Sequence, residues 1–204
     1  MLIIGLTGSI GMGKSTAAAR FRHHGILVVD ADAEVHKLYS GAAVPLIEAA
    51  FPGSTADGRV DRQKLAGLLM ADAEGFKRIN AIVHPLVLAA ERALLRAEAA
   101  RGSAMAVLEV PLLFETGGET RVDVTVVVSA SAEAQRMRVL GRAGMTPEKL
   151  DAILARQMPD EEKRRRADFV VDTSGSIPET EAQIDRIIDN LRGSAGTAYS
   201  RHWA

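Results

Sequence analysis

Residues 2–15 read LIIGLTGSIGMGKS, and this stretch decides the fold of the chain. Leu2 to Leu6 is a short, continuous apolar run, the pattern of a strand that is buried on both faces of a parallel sheet. It leads into Gly8 to Ser15, which matches GxxxxGK[ST] and opens an alanine-rich helical segment. A strand, a glycine-rich turn and a helix in this order predict a phosphate-binding loop.

The residue types in this loop suit a bound triphosphate. Glycines let successive backbone N–H groups turn towards a phosphate, and the N-terminus of the following helix adds a partial positive charge. We expect Lys14 to reach the β- and γ-phosphates and the Ser15 hydroxyl to bind Mg²⁺. The candidate binding residues for ATP are Gly8, Gly11, Met12, Gly13, Lys14, Ser15 and Thr16. A glycine-rich turn that only joins a strand to a helix is the alternative interpretation.

Further apolar runs predict the rest of the sheet. Four of them follow the first, and segments of helical composition separate one from the next. They are Ile26–Val29, Met105–Val110, Val124–Val128 and Phe169–Val171. This alternation predicts a doubly wound α/β fold with five parallel strands flanked by helices.

Two long segments between the strands predict insertions. More than seventy residues separate the second run from the third, so we expect a helical region over about 36–102, with one helix ending near Gly102. The segment at about 136–166 has nine basic residues against five acidic ones. The last helix is predicted to begin at Ser176, with Glu179 completing a capping box. The small, polar tail from Gly193 onward is expected to be disordered.

Composition excludes several classes of protein. The 204 residues include 25 basic and 26 acidic ones, and 47% are hydrophobic, which is enough for one substantial core. The absence of cysteine excludes disulfides, thiolate zinc sites and a cysteine nucleophile. No apolar stretch is long enough to span a membrane, and the N-terminus lacks the charged start of a signal peptide. We expect a cytoplasmic protein without a nucleic-acid or membrane partner, whose oligomeric state stays open.

Two carboxylates follow the second predicted strand, in the sequence Val28-Val29-Asp30-Ala31-Asp32. Ligands of open α/β sheets bind at the carboxyl ends of the strands, where these side chains would lie. If the backbone stays extended, Asp30 and Asp32 point to the same side. One could then accept a proton from an acceptor hydroxyl while the other orients it or holds Mg²⁺ through water. A helix N-cap pair is the alternative interpretation.

Several motifs together are specific, and they occur in one order over about residues 1–192. They are Gly5-Leu6-Thr7-Gly8, Asp30-Ala31-Asp32, Asn80-Ala81-Ile82-Val83-His84-Pro85, Val110-Pro111-Leu112-Leu113-Phe114-Glu115, Arg138 with Arg142, Gln157, and Ala167-Asp168-Phe169-Val170-Val171-Asp172. In these motifs the chain resembles the dephospho-CoA kinase family. It departs from the family's usual pattern at Ser9, Met12 and Thr173, and the third departure leaves open how adenine is held.

The resemblance implies a P-loop kinase fold with a helical substrate-binding insertion and a helical lid. It implies one domain over 1–192, with a core of about 1–35, 103–135 and 167–192, the substrate region at 36–102, the lid at 136–166 and a tail at 193–204. The implied reaction transfers phosphate from ATP to the 3′-hydroxyl of dephospho-CoA and gives CoA and ADP. Asp32 matches the family's proposed general base, with Asp30 as its support.

The remaining candidate residues surround the acceptor and the phosphates. Arg138 and Arg142 are four residues apart, so we expect both on one helix face of the lid, with Arg142 touching the transferring group. Ordinary surface arginines are the alternative. The candidate substrate-binding residues are Thr7, Asp30, Asp32, His84, Leu113 and Phe114. His84 could instead cap a helix that begins at Pro85, and Phe114 could be a core aromatic.

Two other functions remain open from the sequence. One is a kinase for another small molecule, such as a nucleoside or shikimate. The other is a nucleotide-binding switch module without catalysis. A GTPase is not favoured, because the chain has no guanine-reading NKxD motif. Its Asp172-Thr173-Ser174-Gly175 sequence, which resembles a GTPase DxxG, is interpreted as a turn.

Overall fold

A five-stranded parallel sheet forms the centre of the fold in the computed structural model, which describes all 204 residues. Its strands are β1 (Leu2–Thr7), β2 (Leu27–Asp30), β5 (Met105–Glu109), β6 (Val124–Ser129) and β7 (Phe169–Asp172). They lie in the order β2-β5-β1-β6-β7, so β1 is central and pairs with β5 and β6. The five predicted strands are confirmed, each to within about one residue at its ends.

Nine α-helices and a small hairpin surround or follow these strands, together with a 3₁₀ helix (Gly118–Arg121) and a π-helical turn (Tyr199–Trp203). The helices are α1 (Lys14–His23), α2 (Ala31–Leu38), α3 (Val44–Ala50), α4 (Arg62–Ala71), α5 (Gly75–Ala100), α6 (Ala132–Leu140), α7 (Pro147–Leu154), α8 (Asp160–Arg166) and α9 (Ile177–Leu191). The hairpin pairs β3 (Thr55–Ala56) with β4 (Arg59–Val60). None of these helices combines the length and the hydropathy needed to cross a lipid bilayer.

The chain divides into two compact units. The first comprises Met1–Val29 and Leu95–Ala204, and the second comprises Asp30–Leu94. All six residues of β1 are buried in the first unit, as expected for a central strand covered on both faces. Alternate residues of β1 join one core with apolar residues of α1 and α9; this core includes Leu2, Ile4, Leu6, Phe21, Ile184 and Ile188.

The second unit has its own apolar core, formed by α3, α4, the first turns of α5 and the hairpin. Helix α5 begins at Gly75 and continues through Pro85, so the predicted helix start at Pro85 was wrong. A proline inside a helix removes one backbone hydrogen bond. Val83 and Val87 are both buried on either side of it, and their packing keeps this stretch helical. The helix ends just before Gly102, as predicted, where the backbone is left-handed.

Side-chain hydrogen bonds hold helix α9 at its N-terminus and along one side. The predicted capping box is confirmed: Ser176 Oγ accepts a hydrogen bond from the Glu179 N–H, and the Glu179 carboxylate accepts one from the Ser176 N–H. Further along, Asp185 receives two hydrogen bonds from the Arg20 guanidinium of α1, at 2.7 and 2.6 Å. This pairing holds the pKa of Asp185 far below its ordinary value. The pair therefore stabilises the α1–α9 contact at neutral pH.

The C-terminal tail is packed, so its predicted disorder was wrong. Asp123 accepts hydrogen bonds from the N–H groups of Thr197 and Ala198, at 2.7 and 2.8 Å, and from that of Ile3. Trp203 is only 2% exposed, and its indole N–H donates to the Arg121 carbonyl at 2.9 Å. A composition of small polar residues cannot reveal these partners, which lie more than seventy residues away in sequence.

Replacing Trp203 with alanine tests whether the tail contributes to stability. Trp203→Ala should lower the free energy of unfolding by about 3 kcal/mol, because a buried aromatic side chain is lost and a cavity is left. Chemical denaturation measures the change. Arg201→Ala, at an exposed position of the same turn, is the control and should change stability little. Equal stability of the Trp203→Ala variant and the parent would show that the tail does not pack in solution.

Candidate active site

The loop between β1 and α1 has the backbone shape of an anion-binding turn. Gly11 and Gly13 have positive φ angles of 78° and 81°, a conformation that L side chains rarely adopt. A Cβ atom at Gly11 would also lie 2.5 Å from Val139 Cγ2. Gly13 is the N-cap of α1 and offers no side-chain cap, so the N–H groups of Lys14 and Ser15 stay available for a ligand, whereas that of Thr16 donates to the Gly13 carbonyl.

Two carbonyls of the loop, those of Ile10 and Met12, are held by side chains from outside the loop, and a third is bonded within it. Ser9 C=O accepts from the Met12 N–H at 3.1 Å, and Ile10 C=O accepts from Gln135 Nε2 at 2.7 Å. Met12 C=O accepts from Thr173 Oγ1 at 2.9 Å. The N–H groups of Gly11, Gly13 and Lys14 have no protein acceptor. Such a row of backbone donors, beside a helix N-terminus, suits a phosphate group.

Lys14 begins α1, and its ammonium group is paired with a buried carboxylate. The Nζ atom lies 2.6 Å from Glu109 Oε1, and Arg22 lies 3.4 Å from the other oxygen of Glu109. Glu109 is the last residue of β5 and is 5% exposed. Our sequence analysis missed this residue. Its position at the carboxyl end of a strand was the available signal, since ligands of open α/β sheets bind at that edge.

Arg138 and Arg142 do not share a helix face, so that prediction was wrong. Helix α6 ends at Leu140, and Arg142 lies beyond it on an exposed turn that closes at Gly144. Arg138 is in the last turn of α6, where its guanidinium donates to the Thr173 carbonyl at 2.5 Å and to the Thr173 hydroxyl at 3.2 Å. The structure therefore ties Arg138 to the loop that follows β7.

Thr173 connects three parts of the site, a role that our sequence analysis did not assign to it. It follows β7, is 4% exposed, and its N–H donates to the Ser129 carbonyl at the end of β6. Its hydroxyl donates to Met12 C=O in the phosphate loop and accepts from Arg138. Next to it, the Ser174 N–H donates to Asp172 and lowers the pKa of that carboxyl. Asp172 to Gly175 thus forms a turn, as predicted.

Three of the predicted substrate-binding residues in the first unit are buried. Thr7 is fully buried, and its hydroxyl donates to the Pro111 carbonyl at 3.2 Å. Leu113 and Phe114 are 1% and 5% exposed, and the Arg166 guanidinium lies 4.7 Å from the Phe114 ring centroid. Phe114 therefore has the packing of the core-aromatic alternative. Contact between these residues and a substrate stays a prediction.

The two aspartates begin the second unit, and the backbone there does not stay extended. Asp30 is the N-cap of α2, and its Oδ1 accepts from the Ala33 N–H at 3.1 Å. The helical turn starts at Ala31, which places Asp32 in the first turn of α2 with an exposed side chain. The N-cap alternative is therefore correct for Asp30. An aspartate in the first turn of a helix is also favoured by the helix dipole.

His84 is exposed and is the tenth residue of helix α5. Because the helix starts so far upstream, His84 does not cap it, and that alternative was wrong. The side chain is therefore available at the surface of the second unit.

The sheet order, the loop between β1 and α1, and the flanking helices define a P-loop kinase fold. A solved structure from Thermus thermophilus is 39% identical to this chain, with a TM-score of 0.81, and covers 94% of this chain and 98% of its own. The dephospho-CoA kinase from Campylobacter jejuni is 24% identical and has a TM-score of 0.69, over 93% of this chain and 96% of its own. At that identity the likeness concerns the fold alone.

Sequence comparison gives the particular family. The family model described as dephospho-CoA kinase matches residues 2–179. The dephospho-CoA kinase of Mesorhizobium japonicum is 57% identical over 197 residues, which cover 97% of this chain and all of that protein. That of Rhodopseudomonas palustris strain HaA2 is 59% identical over 189 residues, covering 93% of this chain and 95% of that protein. The chain belongs to the dephospho-CoA kinase family.

A valine at position 173 tests the hydroxyl that connects the site. Thr173→Val keeps the shape but leaves the Met12 carbonyl unpartnered, so the free energy of unfolding should fall by about 1–3 kcal/mol. Thr173→Ser keeps the hydroxyl and should lose less. The matched control is Thr180→Val, because the Thr180 hydroxyl bonds only to the Ser176 carbonyl, which already accepts a helical N–H. Equal effects at positions 173 and 180, measured by denaturation, would contradict the assignment.

Proposed function

We propose that this protein transfers the γ-phosphoryl group of ATP to the 3′-hydroxyl of the dephospho-CoA ribose, giving CoA and ADP. The observation that carries the proposal is a phosphate loop whose Ile10 and Met12 carbonyls are bonded from outside and whose neighbouring N–H groups have no protein acceptor, in a chain that belongs to the dephospho-CoA kinase family. Phosphoryl transfer needs little covalent chemistry from the protein. Positioning and neutralisation of phosphate charge supply most of the rate enhancement.

In this proposal the phosphate loop and Lys14 hold the triphosphate. The free N–H donors of Gly11, Gly13 and Lys14 supply hydrogen bonds, and the Lys14 ammonium supplies a full positive charge. Glu109 keeps this ammonium extended beside the loop. The loop and α1 N-terminus would hold the β- and γ-phosphates, with the residues Gly8, Met12 and Thr16 completing the cradle.

The residues at the start of α1 also fit Mg²⁺. Ser15 is exposed in the first turn of α1, and a hydroxyl oxygen is the kind of hard ligand that Mg²⁺ prefers. Ser15 would therefore hold the ion together with phosphate oxygens of the nucleotide. Bound there, Mg²⁺ supplies positive charge that neutralises the phosphate oxygens.

Asp32 is our candidate for the group that orients the acceptor hydroxyl and takes its proton. Its exposed carboxylate makes it accessible to a substrate, and Asp30 supports it by capping the same helical turn. His84, exposed on α5, would contact dephospho-CoA. Arg142 would contact the transferring phosphate, since it is exposed in the basic segment, whereas Arg138 would act by bracing the loop through Thr173.

The proposal also covers the substrates, the partners and the location of the protein. The substrates are ATP and dephospho-CoA, and we expect neither nucleic acid nor a membrane as a partner. We also propose a cytoplasmic location, since a chain without cysteine requires no oxidising compartment.

A panel of acceptors tests the substrate. Purified protein is incubated with Mg²⁺, ATP and one acceptor at a time, namely dephospho-CoA, AMP, adenosine or shikimate, and ADP release is measured. Dephospho-CoA should give a rate at least roughly 100-fold above the others, because discrimination by hydrogen-bonded groups is strong. The rival small-molecule kinase predicts a preference for AMP, adenosine or shikimate. The switch module predicts nucleotide binding without acceptor-dependent ADP release.

Asparagine at position 32 tests the proposed base. Asp32→Asn should leave the KM for ATP nearly intact while kcat falls by roughly 10²-fold or more, because the amide cannot take the proton. Asp57→Asn, an exposed aspartate in the β3–β4 turn, is the matched control and should keep full turnover. Unchanged kcat in Asp32→Asn would remove Asp32 from the mechanism.

A further inference from the structure

Ile10 is held on both of its backbone polar groups by glutamine side chains. Its N–H donates to Gln157 Oε1 at 3.1 Å, and its carbonyl accepts from Gln135 Nε2 at 2.7 Å. Gln135 is 7% exposed, so its bond is made in a setting that excludes most water. Ile10 lies in the middle of the phosphate loop, directly before the left-handed Gly11.

The two glutamines flank the stretch 136–156, which is the first part of the basic segment at about 136–166. Gln135 lies in α6, before the exposed turn at Arg142, and Gln157 follows α7. The helix α7 between them has mostly exposed residues and buries only Leu150. Both ends of this stretch are therefore attached to the same residue of the phosphate loop.

The chain after Gln157 is firmly attached to the sheet. The Met158 N–H donates to Glu115 Oε1 at 2.7 Å, and the fully buried Lys163 ammonium lies 2.9 Å from that oxygen. Lys163 also donates to the Pro111 carbonyl, and Ser129 Oγ donates to Asp160 at 2.6 Å. A buried ion pair of this kind is costly to break. Gln157 therefore reaches Ile10 from a part of the chain that is bonded to the sheet.

The loop needs such support because its own sequence is flexible. Glycines at positions 11 and 13 permit the required backbone conformation, but they also leave the loop many other conformations. The order of the loop must then come from bonds to its surroundings. At Ile10 those bonds are the two glutamine amides, since its side chain cannot fix a peptide orientation.

We propose that Gln135 and Gln157 are positioning residues that clamp Ile10 between them and so fix the direction of the phosphate-binding N–H groups. The clamp also attaches the chain on both sides of residues 136–156 to one residue of the phosphate loop. The inference rests on the proposed nucleotide site but not on the identity of the phosphoryl acceptor.

The test combines nucleotide binding with exchange of a single amide proton. Gln157→Met and Gln135→Met keep side-chain length but remove the hydrogen bonds. Affinity for the ATP analogue AMPPNP with Mg²⁺, measured by calorimetry, should fall about 5- to 10-fold in each variant, as expected for the loss of one buried hydrogen bond that supports the site. The Ile10 amide, followed by NMR, should exchange at least about tenfold faster in Gln157→Met.

Two further variants separate positioning from general stability. Gln183→Met is the matched control, because the Gln183 amide likewise bonds to a backbone N–H and carbonyl, both of Asp172 on β7. It should leave AMPPNP affinity and Ile10 exchange unchanged. Gln157→Glu keeps an acceptor oxygen and should restore slow exchange of the Ile10 amide, although its added charge disfavours the triphosphate.

Several results would overturn the proposal. AMPPNP affinity within about twofold of the parent in both methionine variants would show that the clamp does not position the loop. An equal loss of affinity in Gln183→Met would make the effect a general one. A Gln157→Met chain that does not fold would assign Gln157 a structural role instead. Because no acceptor is added, failure of the dephospho-CoA assay would not affect these results.

Discussion

The site depends on the outward anchoring of the carbonyl groups in the phosphate loop. A peptide unit presents its N–H and its carbonyl on opposite sides, so a carbonyl that is bonded outward leaves the adjacent N–H facing inward. Gln135 and Thr173 hold two of these carbonyls from outside the loop. The left-handed conformations at Gly11 and Gly13 make the turn possible, and the external bonds select it from the other conformations that glycine permits.

Strand order explains why these partners meet. Because β1 lies between β5 and β6, the carboxyl ends of β5 and β6 flank the start of the loop, and β7 is the next strand beyond β6. Glu109 ends β5 beside Lys14, while Thr173 follows β7 and reaches Met12. The Thr173 N–H bonds to the last carbonyl of β6, so the register of the sheet sets the position of this hydroxyl. The parallel sheet therefore brings residues that are distant in sequence together around one loop.

Most of the fold could be predicted because it depends on local patterns. Buried strands, GxxxxGK[ST] and the Ser176 capping box all have signatures within a few residues. The errors arose where a local sequence preference was outweighed by a structural effect that the local pattern does not reveal. Spacing of four placed Arg142 on a helix that in fact ends at Leu140, and burial of Val83 and Val87 outweighed the helix-breaking tendency of Pro85. The partners of Gln157 and Trp203 lie far away in sequence and leave no local trace.

Glu109 shows how a buried carboxylate can lie beside a site for anions. An unpaired buried charge is strongly unfavourable, so an acid whose single partner turned towards a phosphate would oppose binding. Glu109 has two cationic partners, Lys14 at 2.6 Å and Arg22 at 3.4 Å, each on a different oxygen. In the proposed function Lys14 would turn towards a phosphate, and Arg22, which is nearly half exposed and lies at the other oxygen, would remain as a cationic partner of Glu109. Under the proposed function, this second cation would lower the electrostatic cost of transferring Lys14 from the carboxylate to the phosphate.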